Sequence, residues 1–287
     1  MFYKKKSFYI ISVLFGLSLA TFLVLNAISH LSAAESDNLA DQETTNVNTS
    51  VVIDEEKEEV EYYDKTIYDT EIVKYSDVII PFTDAVNPNY LDKTVFVGDS
   101  NTEGLGSFEH LPLSNVLGKH SMDIQGVTDN AYIQIAEDNP ETEEDESQYI
   151  NTIQALAIKQ PKRIIINFGT NNAGAHASPA QFKSVYSQTL QQIKAVCPNT
   201  QIVVAAVLPV AQERSYPKIL MSVIDEFNLA LAQLCREEGY GFLLYPEVFK
   251  DSETGFMNTS YISKDGVHLN GDGYRLLLDY ANKHQYN

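Results

Sequence analysis

The fold is indicated first by residues 94–101, which have the sequence TVFVGDSN. The first four residues are apolar or β-branched and show no polar alternation, which is typical of a strand covered on both faces. The run ends at Gly98, and Asp99 and Ser100 follow it at once. This stretch therefore predicts a buried strand that leads into a tight turn and places a serine at the start of a helix.

The same pattern recurs along the chain and alternates with helical patterns. Further apolar, β-branched runs occupy residues 163–168, 201–207 and 241–245. Apolar residues at three- and four-residue spacing predict helices at residues 147–159, 179–196, 219–238 and 272–283. A further strand is expected within residues 115–127, and the acidic residues 137–146 are expected to form an exposed loop. Strands that alternate with helices predict an α/β fold, in which a parallel sheet carries helices on both faces.

The N-terminal residues 1–34 have the composition of a targeting segment. Three lysines, at positions 4–6, precede an uncharged apolar run at residues 8–28 that is long enough to cross a bilayer. Small residues at positions 32–34 would suit a signal peptidase, but the run is longer than the apolar part of an ordinary signal peptide. The sequence leaves open a cleaved signal peptide or a membrane anchor, and it favours the anchor. In both cases it predicts an extracytoplasmic protein, either anchored at the cell surface or secreted.

Composition divides the rest of the chain into three parts. Residues 35–64 are rich in Asp, Glu, Asn and Thr and predict an acidic, disordered tether, since like charges at this density extend a chain. They lack the alternating acidic spacing of a calcium loop. Residues 65–92 form a transitional arm, of which residues 71–81 are expected to lie extended on the domain. The globular domain is predicted at residues 93–287.

The charge excludes one large class of function. The chain has 20 Lys and Arg against 39 Asp and Glu, a formal net charge of −19, whereas a nucleic-acid binder needs a basic face. No nucleic-acid partner is therefore expected. With two cysteines and no His-Glu-x-x-His motif, no metal or other cofactor is expected either. Cys197 and Cys235 are interpreted as small buried residues, and a disulfide is left open if their helices are neighbours.

Residues suited to nucleophilic catalysis follow the predicted strands. Ser100 follows the first run, and Asn171 follows the run at residues 163–168. Asp265 and His268 precede the last predicted helix, and in an open parallel sheet the site lies at the carboxyl ends of the strands. A histidine can take the proton of a serine, an aspartate can orient the histidine, and an asparagine amide can stabilise an oxyanion. Each residue alone also has a structural interpretation: Ser100 as a helix N-cap, Asn171 as a loop residue and His268 as a buried histidine bonded to a carbonyl.

Three short segments resemble the sequence blocks of a known enzyme family. They are VGDSNTEG at residues 97–104, FGTNN at residues 168–172 and DGVHL at residues 265–269, which resemble the first, third and fifth blocks of the SGNH (GDSL) hydrolases. The resemblance extends over about residues 90–287. It implies a flavodoxin-like three-layer α/β/α sandwich with a parallel sheet, and it implies a serine ester hydrolase.

The same resemblance implies roles for individual residues. Ser100 would be the nucleophile, His268 the base and Asp265 its partner. Asn171 and the backbone N–H of Ser100 would line the oxyanion hole. The family's second block supplies a further backbone donor, for which Gly126 is the candidate because of its Gly-x-Thr context.

The second block departs from the family's pattern. Asp129 occupies the place of the later glycine that supplies the donor in many members, and Gly118 and Ser121 are alternatives to Gly126. The third block ends in Asn172 where the family often has an aspartate. The sequence therefore leaves the identity of the second-block oxyanion donor open.

These observations predict a function and leave two alternatives. The expected protein is an extracytoplasmic serine esterase that hydrolyses small acyl esters, acetyl in particular, on cell-wall or extracellular glycans through an acyl-enzyme. The first alternative is an O-acyltransferase that passes the acyl group to a sugar hydroxyl. The second is a surface binding module that kept the fold and lost the chemistry. The expected partners are an acylated small molecule or glycan, and the membrane through residues 8–28 if these are not cleaved; the oligomeric state is left open.

Overall fold

Five strands form a central parallel sheet in the computed structural model, which describes residues 61, 63–84, 86–108, 110–137 and 147–286. In chain order the strands are β1 (Thr94–Gly98), β2 (Val116–Gly118), β3 (Ile133–Ala136), β4 (Gln148–Ile150), β5 (Arg163–Asn167), β6 (Gln201–Ala205) and β7 (Gly241–Leu243). The sheet has the order β2-β1-β5-β6-β7, and every neighbouring pair is parallel. The strands β3 and β4 pair with each other, antiparallel, in a separate ribbon.

Helices connect the parallel strands. The α-helices of the described residues are α1 (Thr66–Ile72), α2 (Ser100–Ser107), α3 (Gly126–Asp129), α4 (Thr152–Lys159), α5 (Thr170–Gly174), α6 (Pro179–Val196), α7 (Met221–Glu238), α8 (Pro246–Phe249) and α9 (Gly271–Lys283). Short 3-10 helices lie at Val73–Tyr75, Leu91–Lys93, Leu113–Asn115 and Thr259–Tyr261. A mostly parallel sheet with helical connections confirms the predicted α/β fold class.

Side chains at alternate positions of the central strands enter two different cores. In β1, Val95 and Val97 pack in a core with residues of α6 and α7, whereas Phe96 packs in a core with residues of α2 and α9. The sheet is therefore covered on both faces, which is why its strands lack polar alternation in the sequence. Each fully buried side chain of this kind stabilises the fold by about 1.5–3 kcal/mol.

Local capping chemistry sets the starts of α4 and α6. The side chain of Ser178 accepts a hydrogen bond from Gln181 N, and Pro179 occupies the first turn, so α6 begins where the sequence predicts. The helix predicted from residue 147 begins instead at Thr152, because Asn151 and Gln154 form a capping box there. Residues 148–150 form β4 in place of its first turn. Of the predicted acidic loop, residues 138–146 lie outside the described part.

The arm between the tether and the domain differs from its prediction. Residues 71–81 are not extended throughout: α1 continues to Ile72 and a 3-10 turn follows, since Tyr68 and Ile72, four residues apart, bury the same helix face. Only the end is extended, where Ile80 N donates to the carbonyl of Phe242 at 2.9 Å and Phe242 N donates to the carbonyl of Val78 at 2.9 Å. The arm thus extends the sheet beside β7.

Only the C-terminal end of the predicted tether belongs to the described residues. The targeting segment at residues 1–34 and the tether up to residue 60 lie outside the described residues. Glu61 and Tyr63, assigned to the tether by composition, instead bond side chains of the folded part. Among the residues described, no helix combines the length and apolarity needed to cross a membrane.

The two cysteines are buried in the same core and are not bridged to each other. Cys197 donates its S–H to the carbonyl of Leu156 at 3.2 Å. Burial raises the pKa of both thiols. They are therefore small packed residues, as the first of the two interpretations predicted, and thiolate chemistry at them is disfavoured.

Candidate active site

The carboxyl ends of β1 and β5 lie side by side in the sheet and carry the first two candidate residues. Ser100 begins α2 directly after β1, and Asn171 lies in the first turn of α5 after β5. Asp265 and His268 lie in the loop that precedes α9. The chain folds so that all these residues gather at one edge of the sheet, as expected for a parallel α/β fold.

The position of Ser100 is set by its two neighbours on the N-terminal side. Gly98 has no room for a side chain, because a Cβ atom there would lie 2.1 Å from Thr102 Oγ1 and 2.5 Å from the carbonyl oxygen of Asn167. Asp99 is the N-cap of α2, and its Oδ1 accepts a hydrogen bond from Asn101 N at 3.0 Å. The serine is thus the first residue of a capped helix, where backbone N–H groups face outward and can stabilise a negative charge.

Ser100, His268 and Asp265 form a continuous hydrogen-bonded chain. His268 Nε2 lies 2.8 Å from Ser100 Oγ, and His268 Nδ1 lies 2.7 Å from Asp265 Oδ2. The carboxylate requires the tautomer with the proton on Nδ1, which leaves Nε2 as the acceptor for the serine proton. The histidine and aspartate side chains are 35% and 33% exposed, so the base is open to substrate and water. This is the arrangement of a nucleophile, a general base and the group that orients the base.

The Asp265 carboxylate is oriented by its own turn. Its Oδ1 accepts hydrogen bonds from Val267 N at 2.9 Å and His268 N at 3.0 Å. Burial by itself would raise the pKa of Asp265, but these two amide bonds and the contact with the imidazole hold the pKa below its usual value. The carboxylate therefore stays ionised and can stabilise an imidazolium that forms during the reaction.

A residue that the sequence analysis did not single out joins the serine turn to the histidine loop. Asn101 is only 3% exposed. Its Oδ1 accepts from Leu269 N at 3.0 Å, and its Nδ2 donates to the carbonyl of Val267 at 3.4 Å. Both bonds flank His268, so Asn101 sets the distance between Ser100 and His268. The available signal was an amide side chain directly after Ser100, on the face of α2 that would be buried.

The oxyanion candidates fall into two groups. Asn171 lies at the site, and its Nδ2 donates one hydrogen bond to the carbonyl of Met122 at 2.9 Å, which leaves the second N–H of the amide for a ligand. Gly126 N is already engaged, since it lies 3.1 Å from both the carbonyl oxygen and the Oδ1 of Asp123. The structure therefore does not leave the N–H of Gly126 free to serve as an oxyanion donor.

The two alternatives to Gly126 are placed differently. Gly118 ends β2 and packs directly on α2, where a Cβ atom would lie 2.3 Å from Glu103 N. Ser121 has a left-handed backbone with φ of 58° and lines the same cavity as Asn171. Of the second-block candidates, Ser121 is the one that lines the cavity. The Asn172 side chain donates to Gln125 Oε1 and accepts from Ile124 N.

A cavity of about 540 Å³ lies beside Asn171. Its wall is formed on one side by Ser121 and Asp123, and on the other by residues 215–219. This volume lies in the range of small-molecule sites, and it exceeds the space that an acetyl group alone would fill. The arrangement can therefore hold a larger part of an ester next to the oxyanion candidate. Within the described residues, no group of three or more His, Cys, Asp or Glu side chains is placed to hold a metal ion.

Burial of Asp99, the N-cap residue directly before Ser100, gives a prediction about stability. Burial raises the pKa of Asp99 to about 6, despite the bond from Asn101 N and the nearby His268. The folded state then binds this proton more tightly than the unfolded state, so the ionised carboxylate costs stability as pH rises from about 4 to about 6. Asp99→Asn keeps the capping oxygen and removes the titration. We expect the stability of the variant relative to the wild type to increase by roughly 2.5 kcal/mol between pH 4 and pH 7.

Denaturant unfolding of both proteins at the two pH values measures this difference. Groups that titrate alike in both proteins cancel in the comparison. A difference in unfolding free energy that stays constant with pH would show that Asp99 does not titrate in this range.

The model of the GDSL-like lipase/acylhydrolase family matches residues 96–276, which is more than half of the chain. The comparison with curated proteins returned no match. The solved structures that the chain resembles include a protein described as an acylhydrolase from Bacteroides fragilis, with 17% identity and a TM-score of 0.51 over 76% of this chain and 95% of that chain. They also include a protein described as lipolytic and of the G-D-S-L family from Desulfitobacterium hafniense, with 17% identity and a TM-score of 0.50 over 67% of this chain and 98% of that chain. At such identities the two structures support the fold alone.

Proposed function

Because this chain belongs to the GDSL-like lipase/acylhydrolase family and is accordingly a hydrolytic esterase, we propose that it works outside the cytoplasm and removes small acyl groups, acetyl in particular, from cell-wall or extracellular glycans. The observation that carries the proposal is the hydrogen-bonded chain from Ser100 through His268 to Asp265. A binding module without catalytic activity would not need to keep these three side chains hydrogen-bonded in this order.

The proposed reaction has two steps. In the first, Ser100 Oγ attacks the ester carbonyl while His268 Nε2 takes its proton, and the amide of Asn171 with the N–H of Ser100 stabilises the oxyanion. His268 then protonates the leaving sugar oxygen, which gives the free hydroxyl and an acyl-enzyme. In the second step His268 takes a proton from water, the hydroxide attacks the acyl carbonyl, and Ser100 leaves with the proton returned.

The location and the substrate class are proposed from the sequence beyond the described residues. The lysines at positions 4–6 and the apolar residues 8–28 support export, with the lysines retained on the cytoplasmic side. An enzyme anchored on the extracytoplasmic side of the membrane would meet glycan esters of the cell envelope. The cavity beside Asn171 supports a substrate in which the acyl group is a small part of a larger molecule.

The experiment that tests the proposal supplies an O-acetylated cell-wall glycan to the full-length protein. Released acetate and residual glycan acetylation are measured together, in parallel with a matched reaction of the Ser100→Ala variant. We expect acetate release by the wild type and none above background by the variant. Acetate that appears on a second, unacetylated glycan instead of in solution would show an acyltransferase, and turnover of simple esters without any action on the glycan would exclude the glycan assignment.

A further inference from the structure

A buried ion pair joins Glu61 to a loop of the active-site region. Glu61 Oε2 lies 2.5 Å from Arg214 Nη2, and the two side chains are only 10% and 4% exposed. Arg214 Nη1 donates in addition to the carbonyls of Ala211 at 2.9 Å and Gln212 at 3.1 Å. Ion pairs this well covered are strongly sensitive to the loss of one partner, because the other charge is then left buried and unpaired.

The same carboxylate also holds the start of α7. Glu61 Oε1 accepts hydrogen bonds from Ser222 N at 3.2 Å and from Ser222 Oγ at 3.4 Å. Arg214 and Ser222 lie just before and just after residues 215–219, which form one wall of the cavity beside Asn171. A single side chain therefore fixes both ends of this wall.

The same loop is also hydrogen-bonded to the turn of Asp265, through main-chain atoms. Ser215 N donates to the carbonyl of Asp265 at 2.8 Å, and Ala211 N donates to the carbonyl of Gly266 at 2.9 Å. Gly266 has a positive φ of 73°, and a Cβ atom there would lie 2.4 Å from the carbonyl oxygen of Glu213. The Asp265 carboxylate itself is oriented by amides of its own turn, so a loosened loop would disturb the cavity wall more than the triad.

We propose that Glu61 is a positioning residue that fixes the substrate-binding wall formed by residues 215–219. Its loss weakens substrate binding and leaves the chemical step largely intact. The proposal rests on the proposed function in one respect, namely that the ester occupies the cavity beside Asn171. It gives the C-terminal end of the predicted tether an indirect part in substrate recognition, through the wall that Glu61 holds.

The test compares Glu61→Ala with the wild type as full-length proteins, with 4-nitrophenyl butyrate as the probe ester. We expect KM to rise by about 5- to 10-fold while kcat changes by less than about 2-fold, because uniform binding is lost and transition-state contacts are kept. Hydrogen exchange of residues 211–222 should be faster by about 10-fold or more, since both anchors of the segment are removed. Glu61→Gln, which keeps the size and one acceptor oxygen, should fall between the wild type and Glu61→Ala in KM.

Tyr63→Phe is the matched control, because it changes the same segment at a different contact. The Tyr63 hydroxyl donates to Asp225 and accepts from Lys250 Nζ at 2.9 Å, and it bonds neither Arg214 nor Ser222. This variant should lower the melting temperature and leave KM unchanged. Arg214→Ala combined with Glu61→Ala should raise KM by less than the product of the two single effects, since both variants break the same ion pair.

The outcomes separate this proposal from the proposed function. Unchanged KM in Glu61→Ala, or a fall in kcat at constant KM, would overturn the role in binding. Unchanged hydrogen exchange of residues 211–222 would overturn the role in holding the wall, and this measurement needs no turnover. If the wild type hydrolysed no ester, the proposed function would fail, and the exchange data would still decide whether Glu61 fixes the wall.

Discussion

Ser100→Ala should lower kcat/KM for a chromogenic acetyl ester by about 10⁵- to 10⁶-fold, which is the range seen when the nucleophile of a serine triad is removed. The reason is geometric. Ser100 Oγ lies 2.8 Å from the imidazole nitrogen that would take its proton, and no other hydroxyl is bonded to that nitrogen in the described residues. Without the Oγ no acyl-enzyme can form, and only the oxyanion donors and substrate binding remain.

Two measurements check this prediction. Steady-state turnover gives the fall in rate, and labelling with a fluorophosphonate followed by peptide mapping identifies the nucleophile. Ser107→Ala is the matched control, because Ser107 is exposed at the other end of α2 and should tolerate the change with little effect on rate. Activity retained in Ser100→Ala, or a label mapped to another serine, would refute the assignment of the nucleophile.

The sheet could be predicted from the sequence because its strands are buried on both faces. The runs at β1, β5, β6 and β7 are continuously apolar, since Val97, Ile164 and Val204 reach one core while Phe96 and Ile165 reach the other. The ribbon of β3 and β4 gave no such signal. Its strands have only four and three residues, and Ile135 and Tyr149 are more than half exposed. Runs this short cannot be distinguished by periodicity from a loop or the first turn of a helix.

The site was predictable where its geometry is local. Asp265 and His268 are three residues apart, and their contact is made within one turn. The contact of Ser100 with His268 spans 168 positions. It became an expectation through the rule that strand ends converge and through the resemblance to the SGNH (GDSL) hydrolases. Glu61 could not be recognised from the sequence, because a buried glutamate looks like its exposed acidic neighbours until its partner Arg214 is known.

The second-block oxyanion donor could not be identified from the sequence, for a related reason. The Gly-x-Thr context pointed to Gly126, but a backbone N–H has no side-chain identity, and whether it is free depends on its acceptor. Here Asp123 supplies that acceptor with both its carbonyl and its carboxylate. Ser121, at a left-handed position that glycine usually occupies, faces the cavity instead.

Replacement of the base should be nearly as damaging as replacement of the nucleophile, and replacement of its partner less so. We expect His268→Ala to lower kcat/KM by about 10⁵- to 10⁶-fold and Asp265→Asn by about 10⁴-fold. In Asp265→Asn the amide can present an N–H to His268 Nδ1, which favours the tautomer with the proton on Nε2. That nitrogen then faces Ser100 as a donor and can no longer take the serine proton.

Fluorophosphonate labelling rates and steady-state kinetics on the same preparations test this order. His268→Ala should abolish labelling of Ser100, Asp265→Asn should slow it, and the double variant of His268 and Asp265 should be no worse than His268→Ala, because the partner acts only through the base. His120→Ala is the control, since His120 is exposed and pairs with Glu103 on the surface. If Asp265→Asn were as active as the wild type while His268→Ala was inactive, the histidine would be oriented by another group. The 2.7 Å contact between Asp265 and His268 would then have no part in catalysis.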